Sequence, residues 1–500
     1  MDKLKELKVL AAEIHDLETT LAVLDWDQQV SMPREGGPGR ASQLALLSGM
    51  AHKSFVSDRM GELLESLQSS ESNLDPDSDD ACLICQFNKR YHKQKLVPSE
   101  FVSELAGVTA RAHNEWEEAR EKSDFSLFRP TLEKIFDMKR EYANFFAPYN
   151  HIYDSLLDDF EPGLKTSEVI EVFSVLREKQ VDLIHRISQR SQPDDSFLRQ
   201  PFDDELQYEL GVKAVTACGF DWDRGRQDRA AHPFTTTFNL NDVRITTRIY
   251  PDYLMAGLSS TMHEGGHAMY EQGVSQSLNR SPLGTGCSLA IHESQSRFWE
   301  NMIGRSRAYW EYFYSLTQQT FPGQLGNIKL EDFYRGVNKV QPSLIRVDAD
   351  EATYNLHIML RMELEIAILE KRLEVKDLPE IWNAKMHEYL GVVPDSDANG
   401  VLQDVHWSAG IIGYFPTYAL GNLISAQVKE CMEQELGDIS QYVRRGEFTP
   451  MREWLTEKIY RHGAKFDPGD LIRRVTGSGI DSAPYLRYLE TKYGEIYLLS

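Results

Sequence analysis

Apolar residues recur every three or four positions along most of the chain. The pattern is clear in LKELKVLAAEIHDLETTLAVLDW near the start of the sequence and in LHIMLRMELEIAILEKRL after residue 355. This spacing places apolar side chains on one face of a helix. Stretches rich in Pro, Gly and Asp, such as MPREGGPGR and DPDSDD, interrupt the pattern and predict turns. The chain is therefore predicted to be mainly α-helical.

One segment departs from the helical pattern. Residues 232–250, HPFTTTFNLNDVRITTRIY, are rich in Thr, Phe, Ile and Val, and two alternating runs flank NLND. Alternation of this kind predicts a β-hairpin. A small sheet offers an edge on which an extended peptide can lie as an added strand. The alternative is a hairpin that only closes a core, and the residues favour neither.

The hairpin is followed by PDYLMAGLSSTMHEGGHAMYEQG, which predicts a helix with Pro251 near its start and Gly273 near its end. His263 and His267 are four residues apart, so both imidazoles lie on one face and can reach one metal ion. Glu264 is rotated about 100° from His263. It is therefore placed to act as a general base on a water molecule rather than to bind the metal. The alternative is a surface pair of histidines beside an unrelated glutamate.

Two glycines lie in this helix between Glu264 and His267. Gly265 and Gly266 each cost about 1 kcal/mol of helix stability relative to Ala. Their presence fits a helix whose backbone another part of the protein approaches closely. Ordinary packing would explain them equally well.

A second His-Glu pair offers a further ligand. A catalytic zinc site has three protein ligands and one open position. The segment SLAIHESQSRFWENMIG predicts a helix that carries His292 and Glu293. These side chains point about 100° apart, so only one of them can face the ion. A carboxylate would complete a set of two His and one Glu, which favours Glu293, and His292 would then support a ligand or pack. From the residues alone the choice stays close.

Composition narrows the class of protein. The 500 residues include 77 acidic and 54 basic ones, and the net charge is −23. A nucleic-acid-binding protein usually carries a basic patch, and no Lys/Arg block stands out, so we expect no nucleic-acid partner. The charged start of the chain predicts no secretory signal, and no stretch of about 18 apolar residues predicts a membrane span. Five cysteines, an odd and sparse set, indicate a reducing compartment, and we expect a cytoplasmic protein.

Beyond these single motifs, the chain resembles the carboxypeptidase Taq family of metallocarboxypeptidases. The resemblance covers most of the chain and follows the family's order of signature segments. These are HPF at 232–234, DVRIT at 242–246, HEGGH at 263–267, HESQ at 292–295, IRVDAD at 345–350 and GVLQDVHW at 400–407.

The resemblance implies the composition of the metal site. It implies that His263, His267 and Glu293 hold one divalent metal, with Glu264 as the catalytic base, and it decides between His292 and Glu293 in favour of the glutamate. Zinc is the metal that we expect, and cobalt also suits this ligand set.

The resemblance also implies the fold and the activity. It implies a large, nearly all-α, neurolysin-like fold in which two lobes flank a deep central groove, with a small β-sheet beside the metal site. We expect a single peptidase domain over residues 1–500, with N-terminal helices partly covering the groove and metal-site helices at about residues 252–302. Family members are typically homodimers that release single C-terminal residues from peptides with broad specificity and accept C-terminal Pro poorly.

A carboxypeptidase must bind a free terminal carboxylate. Arginine suits this task because its planar fork binds a carboxylate through two parallel hydrogen bonds. Arg346, in IRVDAD, and Arg244, on the predicted strand, are the candidates. The alternative for Arg346 is an internal ion pair, for instance with Asp350, four residues on.

The tetrahedral intermediate needs a hydrogen-bond donor to its oxyanion. In the peptidases that the chain resembles, a His and a Tyr downstream of the metal site do this, which makes His406 and Tyr414 the candidates. Tyr418 is a second candidate for the tyrosine donor, and we expect it to contact the substrate. Core packing with a satisfied hydroxyl is the alternative for either tyrosine, and Gln403 and Asp404 are expected to orient the loop.

Three other functions suit the same residues. An oligoendopeptidase or a dipeptidyl carboxypeptidase would use the same metal and base but cut elsewhere in the peptide. A non-catalytic scaffold that binds peptides would be expected to lack a ligand or the base, and all four residues are present here.

Overall fold

The computed structural model describes residues 3–71 and 74–499, and their fold is mainly α-helical, which confirms the prediction from periodicity. None of the helices in this described part is long and apolar enough to cross a bilayer. In chain order its α-helices are α1 (Lys3–Val30), α2 (Gly37–Phe55), α3 (Asp58–Glu71), α4 (Asp79–Leu96), α5 (Ser99–Lys122), α6 (Arg129–Asn144), α7 (Asp154–Leu157), α8 (Thr166–Ser188), α9 (Asp204–Cys218), α10 (Leu254–Gly273), α11 (Leu289–Arg297), α12 (Arg307–Thr320), α13 (Pro322–Leu325), α14 (Leu330–Val337), α15 (Tyr354–Leu369), α16 (Leu378–Leu390), α17 (Pro416–Leu436), α18 (Ser440–Arg444), α19 (Thr449–Lys458), α20 (Pro468–Thr476) and α21 (Ala483–Tyr497).

The chain divides into two compact units, each assembled from three stretches that are distant in the sequence. Unit 1 comprises Met1–Lys95, Asp194–Val337 and Val428–Gly477, and unit 2 comprises Leu96–Pro193, Asn338–Gln427 and Ser478–Ser500. That residues 1–500 act as a single peptidase domain around a groove stays a prediction.

Unit 1 contains a three-stranded sheet in the order β1-β3-β2, formed by β1 (Gly225–Arg229), β2 (Thr235–Asn239) and β3 (Asp242–Thr247). β2 and β3 are antiparallel, which confirms the predicted hairpin. β1 pairs in parallel with β3, so that Arg226 lies opposite Arg244. The sequence pattern did not indicate β1, because GRQDR contains none of the β-branched and aromatic residues that favour strands.

Helix α10 is tightly enclosed in unit 1. Gly265 and Gly266 mark the positions where neighbouring helices approach it closely. A Cβ atom on Gly266 would lie 2.7 Å from both the carbonyl oxygen of Gln295 and the Cα of Ser296, which belong to α11. A Cβ atom on Gly265 would lie 2.7 Å from Cγ1 of Val215 on α9. Close approach of the α11 backbone therefore explains Gly266.

The end of α10 packs against Tyr460, which lies in the last of the three stretches of unit 1. A Cβ atom on Gly273 would lie 2.6 Å from the Tyr460 ring. The Tyr270 ring centroid is 5.1 Å from that of Tyr460, and Trp299 Nε1 donates a hydrogen bond to the Tyr460 hydroxyl at 3.3 Å. Tyr460 thus closes one side of the helices that carry the histidines and Glu293.

Helix α15 is buried on nearly all sides within unit 2; only Glu363 and Ala367 are partly exposed. A helix buried all round is expected to be apolar, yet α15 carries His357, Arg361 and Glu365. These residues are spaced four apart, so they share one face of the helix. Arg361 and Glu365 have partners in the segment around His406.

Candidate metal centre

Three ligand atoms converge between α10 and α11. His263 and His267 each place Nε2 3.5 Å from Oε2 of Glu293, and the ligand atoms of the three residues all lie within 4.8 Å of one another. Tetrahedral zinc with bonds of about 2.0–2.1 Å would set its ligand atoms about 3.4 Å apart. The three residues therefore fit one divalent ion. Among residues 3–71 and 74–499, no other group of three His, Cys, Asp or Glu side chains converges in this way.

Glu264 is turned towards the sheet. Its side chain is buried, and the residue is 6 % exposed. The Thr235 hydroxyl of β2 donates a hydrogen bond to Glu264 Oε2 at 2.6 Å. Burial raises the pKa of Glu264 above its usual range, although Thr235 and His263 oppose that shift. A carboxylate in this environment is a better proton acceptor than an exposed one.

His292 supports a histidine and is not part of the converging group. Its Nδ1 lies 2.8 Å from Nδ1 of His267, and its Nε2 lies 2.7 Å from Oε1 of Glu271. The same Glu271 oxygen accepts hydrogen bonds from the Thr285 hydroxyl at 2.8 Å and the Gly286 amide at 3.1 Å. A chain of contacts thus runs from His267 through His292 to a firmly held carboxylate.

His263 and Glu293 have carboxylate and guanidinium partners of their own. His263 Nδ1 lies 2.9 Å from Oε2 of Glu300, which belongs to a π-helical turn, Phe298–Ile303, that continues α11. Arg297 donates to Glu293 at 2.7 Å and to Glu300 at 3.3 Å. Burial alone would raise the pKa of Glu293, but Arg297 and the two histidines outweigh it and hold the pKa well below the usual range. Glu293 is therefore ionised, as a metal ligand must be.

Arg244 lies on β3, in the same unit as these residues. Its Nε and one terminal nitrogen each donate to Asp242 at 2.9 Å. Its guanidinium carbon lies 4.5 Å from the ring centroid of Trp26 on α1 and 4.7 Å from that of Phe238. Arg244 is thus fixed in place by one carboxylate and two aromatic rings.

The other four predicted substrate-contacting residues, His406, Tyr414, Tyr418 and Arg346, come together in unit 2. His406 Nε2 lies 3.4 Å from the Tyr418 hydroxyl. The Tyr414 ring centroid is 5.5 Å from that of His406 and 5.1 Å from that of Tyr418. The guanidinium carbon of Arg346 lies 5.1 Å from the Tyr418 ring centroid. A polar cluster therefore surrounds the Tyr418 ring.

Arg346 is buried and pairs with Asp404 rather than with Asp350. It donates to Asp404 Oδ1 at 3.0 and 2.8 Å and to the Tyr354 hydroxyl at 3.0 Å. The Asp350 carboxylate instead accepts backbone amide hydrogens at the start of α15. Arg346 therefore does have an internal ion-pair partner, as the alternative held, but that partner is Asp404 and not Asp350.

His406 is a neutral imidazole at pH 7. Burial lowers its pKa to about 4, and the nearby Asp404 does not outweigh that effect. A neutral ring carries one N–H. Nδ1 lies 3.7 Å from Asp404 Oδ1, too far for a hydrogen bond, and that oxygen already accepts from Arg346. Nε2 is therefore the ring nitrogen that has a hydrogen-bonding contact, with the Tyr418 hydroxyl.

Sequence reasoning missed the residues that support this centre. Helical spacing held a signal for two of them, because Glu271 lies four residues after His267 and Glu300 lies seven after Glu293. Thr235 lies in HPFTTT, and nothing in its spacing pointed to Glu264. Its contact comes from a different element and needs the tertiary structure.

Comparison with known proteins places the chain among metallopeptidases. Residues 6–493 match the model of the carboxypeptidase Taq (M32) metallopeptidase family. Thermostable carboxypeptidase 1 of Thermus thermophilus is 42% identical over 486 residues, which cover 95% of each chain. Carboxypeptidase 1 of Bacillus subtilis is 40% identical over 99% of each chain. The crystal structure of an M32 carboxypeptidase from Deinococcus radiodurans superimposes with a TM-score of 0.97 at 39% identity, over 100% of both chains.

Proposed function

Since this chain belongs to the carboxypeptidase Taq (M32) metallopeptidase family and is a metallocarboxypeptidase, we propose that it releases single C-terminal amino acids from peptides. We propose broad specificity, with C-terminal Pro poorly accepted. The observation that carries the proposal is the convergence of His263, His267 and Glu293 beside the buried Glu264. A binding scaffold has no need of such a set.

His263, His267 and Glu293 are the proposed ligands of the divalent metal that the family requires, with zinc expected and cobalt also suited to the set. A metal held there supplies Lewis-acid chemistry, which polarises the scissile carbonyl and makes a water molecule more acidic. Glu264 takes the proton from the attacking water and passes it to the leaving amine. Its raised pKa supports both transfers, because the carboxyl must accept the proton and then release it.

His406 and Tyr414 are the proposed donors to the oxyanion, and Tyr418 is proposed to contact the substrate. The neutral state of His406 supports this role, since a neutral ring with its proton on Nε2 donates a hydrogen bond without exchanging a proton with solvent. The short Tyr418–His406 contact supports a shared site for these side chains.

Arg346 and Arg244 are the proposed anchors of the terminal carboxylate. Both guanidinium groups are held by aspartates and aromatic rings. Binding a carboxylate there would therefore cost little additional side-chain entropy. Arg346 also lies beside Tyr418 and so beside the proposed donors. We propose that the anchor holds the terminal carboxylate one residue from the metal, which would restrict cleavage to the last peptide bond.

A time course of peptide trimming, read by mass spectrometry on protein of measured metal content, tests the proposal. We expect a ladder of products that shortens by one residue at a time and stops near Pro. Loss of two residues at a time would indicate a dipeptidyl carboxypeptidase, and internal fragments would indicate an oligoendopeptidase. A protein that contains no metal and shows no chelator-sensitive hydrolysis would favour the scaffold.

We further propose that residues 1–500 form one peptidase domain around a groove that the N-terminal helices partly cover, and that the enzyme is a cytoplasmic homodimer. The full-length match to the family supports a single functional domain. Light scattering on the purified chain tests the dimer: a mass near twice 57.3 kDa is expected, and the monomer mass would contradict it.

A further inference from the structure

Unit 2 contains a fully buried carboxylate that the proposed reaction does not use. Glu365, on α15, is 0 % exposed. Its Oε1 accepts a hydrogen bond from Trp407 Nε1 at 2.8 Å. Its Oε2 accepts two, from the Gly413 amide at 3.1 Å and from the Tyr153 hydroxyl at 2.6 Å. Three neutral donors therefore converge on one carboxylate.

Two of these donors belong to the segment that carries the proposed oxyanion donors. Trp407 directly follows His406, and Gly413 directly precedes Tyr414. We call residues 406–414 the donor segment. One carboxylate thus binds the side chain of the residue next to His406 and the backbone of the residue next to Tyr414, so it constrains how far apart His406 and Tyr414 are held.

The geometry at Gly413 leaves the donor segment little freedom. Gly413 has a φ of +95°, which L residues with a side chain rarely adopt. A Cβ atom there would lie 2.7 Å from the carbonyl carbon and oxygen of Leu156. The Gly413 amide therefore reaches Glu365 only along a path that glycine allows.

Arg361 holds the residues just before the donor segment from the same face of α15. Its Nε donates to Asp404 Oδ2 at 2.6 Å, and a terminal nitrogen donates to Gln403 Oε1 at 2.8 Å. Arg361 and Glu365 are four residues apart, so α15 presents a cation and then an anion along one line. The cation fixes the approach to the donor segment, and the anion fixes both of its ends.

We propose that Glu365 is a positioning residue whose single carboxylate sets His406 and Tyr414 in the relative geometry needed to bind the oxyanion. This inference rests on the proposed function, since it takes those two side chains as the donors. An ionised carboxylate suits the role because it accepts several hydrogen bonds and donates none. Burial raises the pKa of Glu365 to about 7, so keeping the charge in this place costs free energy that packing alone would not require.

Glutamine at this position keeps the shape but loses one anchor. An amide has one accepting oxygen and one NH2 group. With the oxygen towards Gly413 and Tyr153, the NH2 group faces the Trp407 N–H; with the oxygen towards Trp407, it faces the Gly413 N–H. Glu365→Gln therefore releases one end of the donor segment in either orientation.

The test compares Glu365→Gln with Glu363→Gln on the same helix. Glu363 pairs with Lys385, Arg177 and Tyr389, none of which belongs to the donor segment. We expect Glu365→Gln to lower kcat at least about tenfold, as small misplacements of catalytic groups do, with KM changed by less than about threefold and metal content unchanged. Glu363→Gln is expected to keep kcat. An unchanged kcat of folded, metal-loaded Glu365→Gln would overturn the inference.

A double-mutant cycle with Tyr414→Phe separates positioning from general damage. If Glu365 acts through Tyr414, the double variant loses less than the product of the two single losses. Fully multiplicative losses would overturn the inference. Should Glu365→Gln not fold, Trp407→Phe removes one anchor and retains the carboxylate, and it is held to the same expectation.

The same series separates this inference from the proposed function. If Tyr414→Phe and His406→Phe both keep kcat, the proposed donor roles are wrong. If both lower kcat and neither Glu365→Gln nor Trp407→Phe does, the donor roles stand and the positioning role of Glu365 is wrong.

Discussion

The Nδ1 atoms of His267 and His292 lie 2.8 Å apart. Two ring nitrogens at that distance share one proton, so one donates and the other accepts. His292 Nε2 faces Glu271, whose carboxyl is ionised because His292 and its other donors outweigh burial and lower its pKa. His292 therefore carries its proton on Nε2 and accepts on Nδ1. His267 is left with its proton on Nδ1 and its lone pair on Nε2, the atom beside Glu293.

Removing His292 is predicted to weaken metal binding. In His292→Phe the Nδ1 proton of His267 loses its acceptor, and loss of such a partner typically costs 10- to 100-fold in metal affinity. Competition with a chromogenic chelator measures the affinity. Glu271→Gln is the graded control, since its amide oxygen still accepts from His292 and a smaller loss is expected. Wild-type metal affinity in folded His292→Phe would contradict the role given to His292.

Replacing the proposed base is predicted to separate metal binding from turnover. Glu264→Gln retains the metal, because the three ligand side chains are untouched, and loses activity by at least about 100-fold. Metal analysis and peptide hydrolysis on the same sample check both halves. Thr235→Val removes only the hydroxyl that binds Glu264 and is expected to lose much less. Normal hydrolysis by Glu264→Gln would show that another group is the base.

Gly265 and Gly266 of α10 are predicted to differ in their tolerance of a methyl group. At Gly266 the methyl group meets α11 backbone, which must shift, at a cost of about 1–3 kcal/mol, and the shift carries Glu293 with it. Gly266→Ala is therefore expected to lower both Tm and metal affinity. At Gly265 the methyl group meets the buried Val215 side chain and no backbone of another element, so some repacking is needed, but Ala restores about 1 kcal/mol of helix propensity. Equal behaviour of the two variants would refute this account.

The charge on Glu365 is predicted to make stability depend on pH. Its pKa rises from about 4.3 in the unfolded chain to about 7 in the fold, because burial outweighs its hydrogen-bond donors and Arg361. The folded state therefore binds the proton more tightly, and this contribution is fully present below about pH 4.3 and lost as the pH rises through 7. The loss amounts to roughly 4 kcal/mol. Glu365→Gln lacks it, so its Tm deficit should be smaller at pH 8 than at pH 5.5. A deficit that is the same at both pH values would contradict the assigned pKa.

The proposed arginine anchors are predicted to recognise the charge of the peptide end. Arg346→Lys and Arg244→Lys are expected to raise KM for a peptide acid, because a lysine cannot form two parallel bonds to a carboxylate. The same peptide with an amidated end is the control. If an arginine binds the terminal carboxylate, its replacement reduces the preference for the acid over the amide. An arginine whose replacement slows both peptides equally shapes the protein instead.

Local pattern was sufficient for the elements that hold the metal-site residues. Pro251 and Gly273 bracket α10, and alternation of Thr, Ile and Phe indicated the β2–β3 hairpin. The His-Glu motifs contain the three converging residues because helix geometry brings side chains four apart onto one face. Helix phase alone, however, left His292 and Glu293 nearly equal, since it does not say how α11 is rotated against α10.

Contacts between segments that are distant in the chain could not be predicted from the sequence. Arg346 has an acidic residue four positions on, yet Asp404, far along the chain, is its partner. Glu365 belongs to an apolar periodic helix and gave no sign that Trp407 and Gly413 would bind it. The partners of such a side chain depend on the tertiary structure around it. The local pattern of one sequence does not reveal them.

Tyr460 is synthesised later than the residues of the metal centre that it helps to enclose. It closes the helices that carry the histidines and Glu293, yet it is encoded far downstream of them. At roughly 5–20 residues per second, the ribosome releases α10 and α11 several seconds or more before Tyr460 emerges. The ligand residues of the metal centre are thus synthesised before the side chain that closes one side of them.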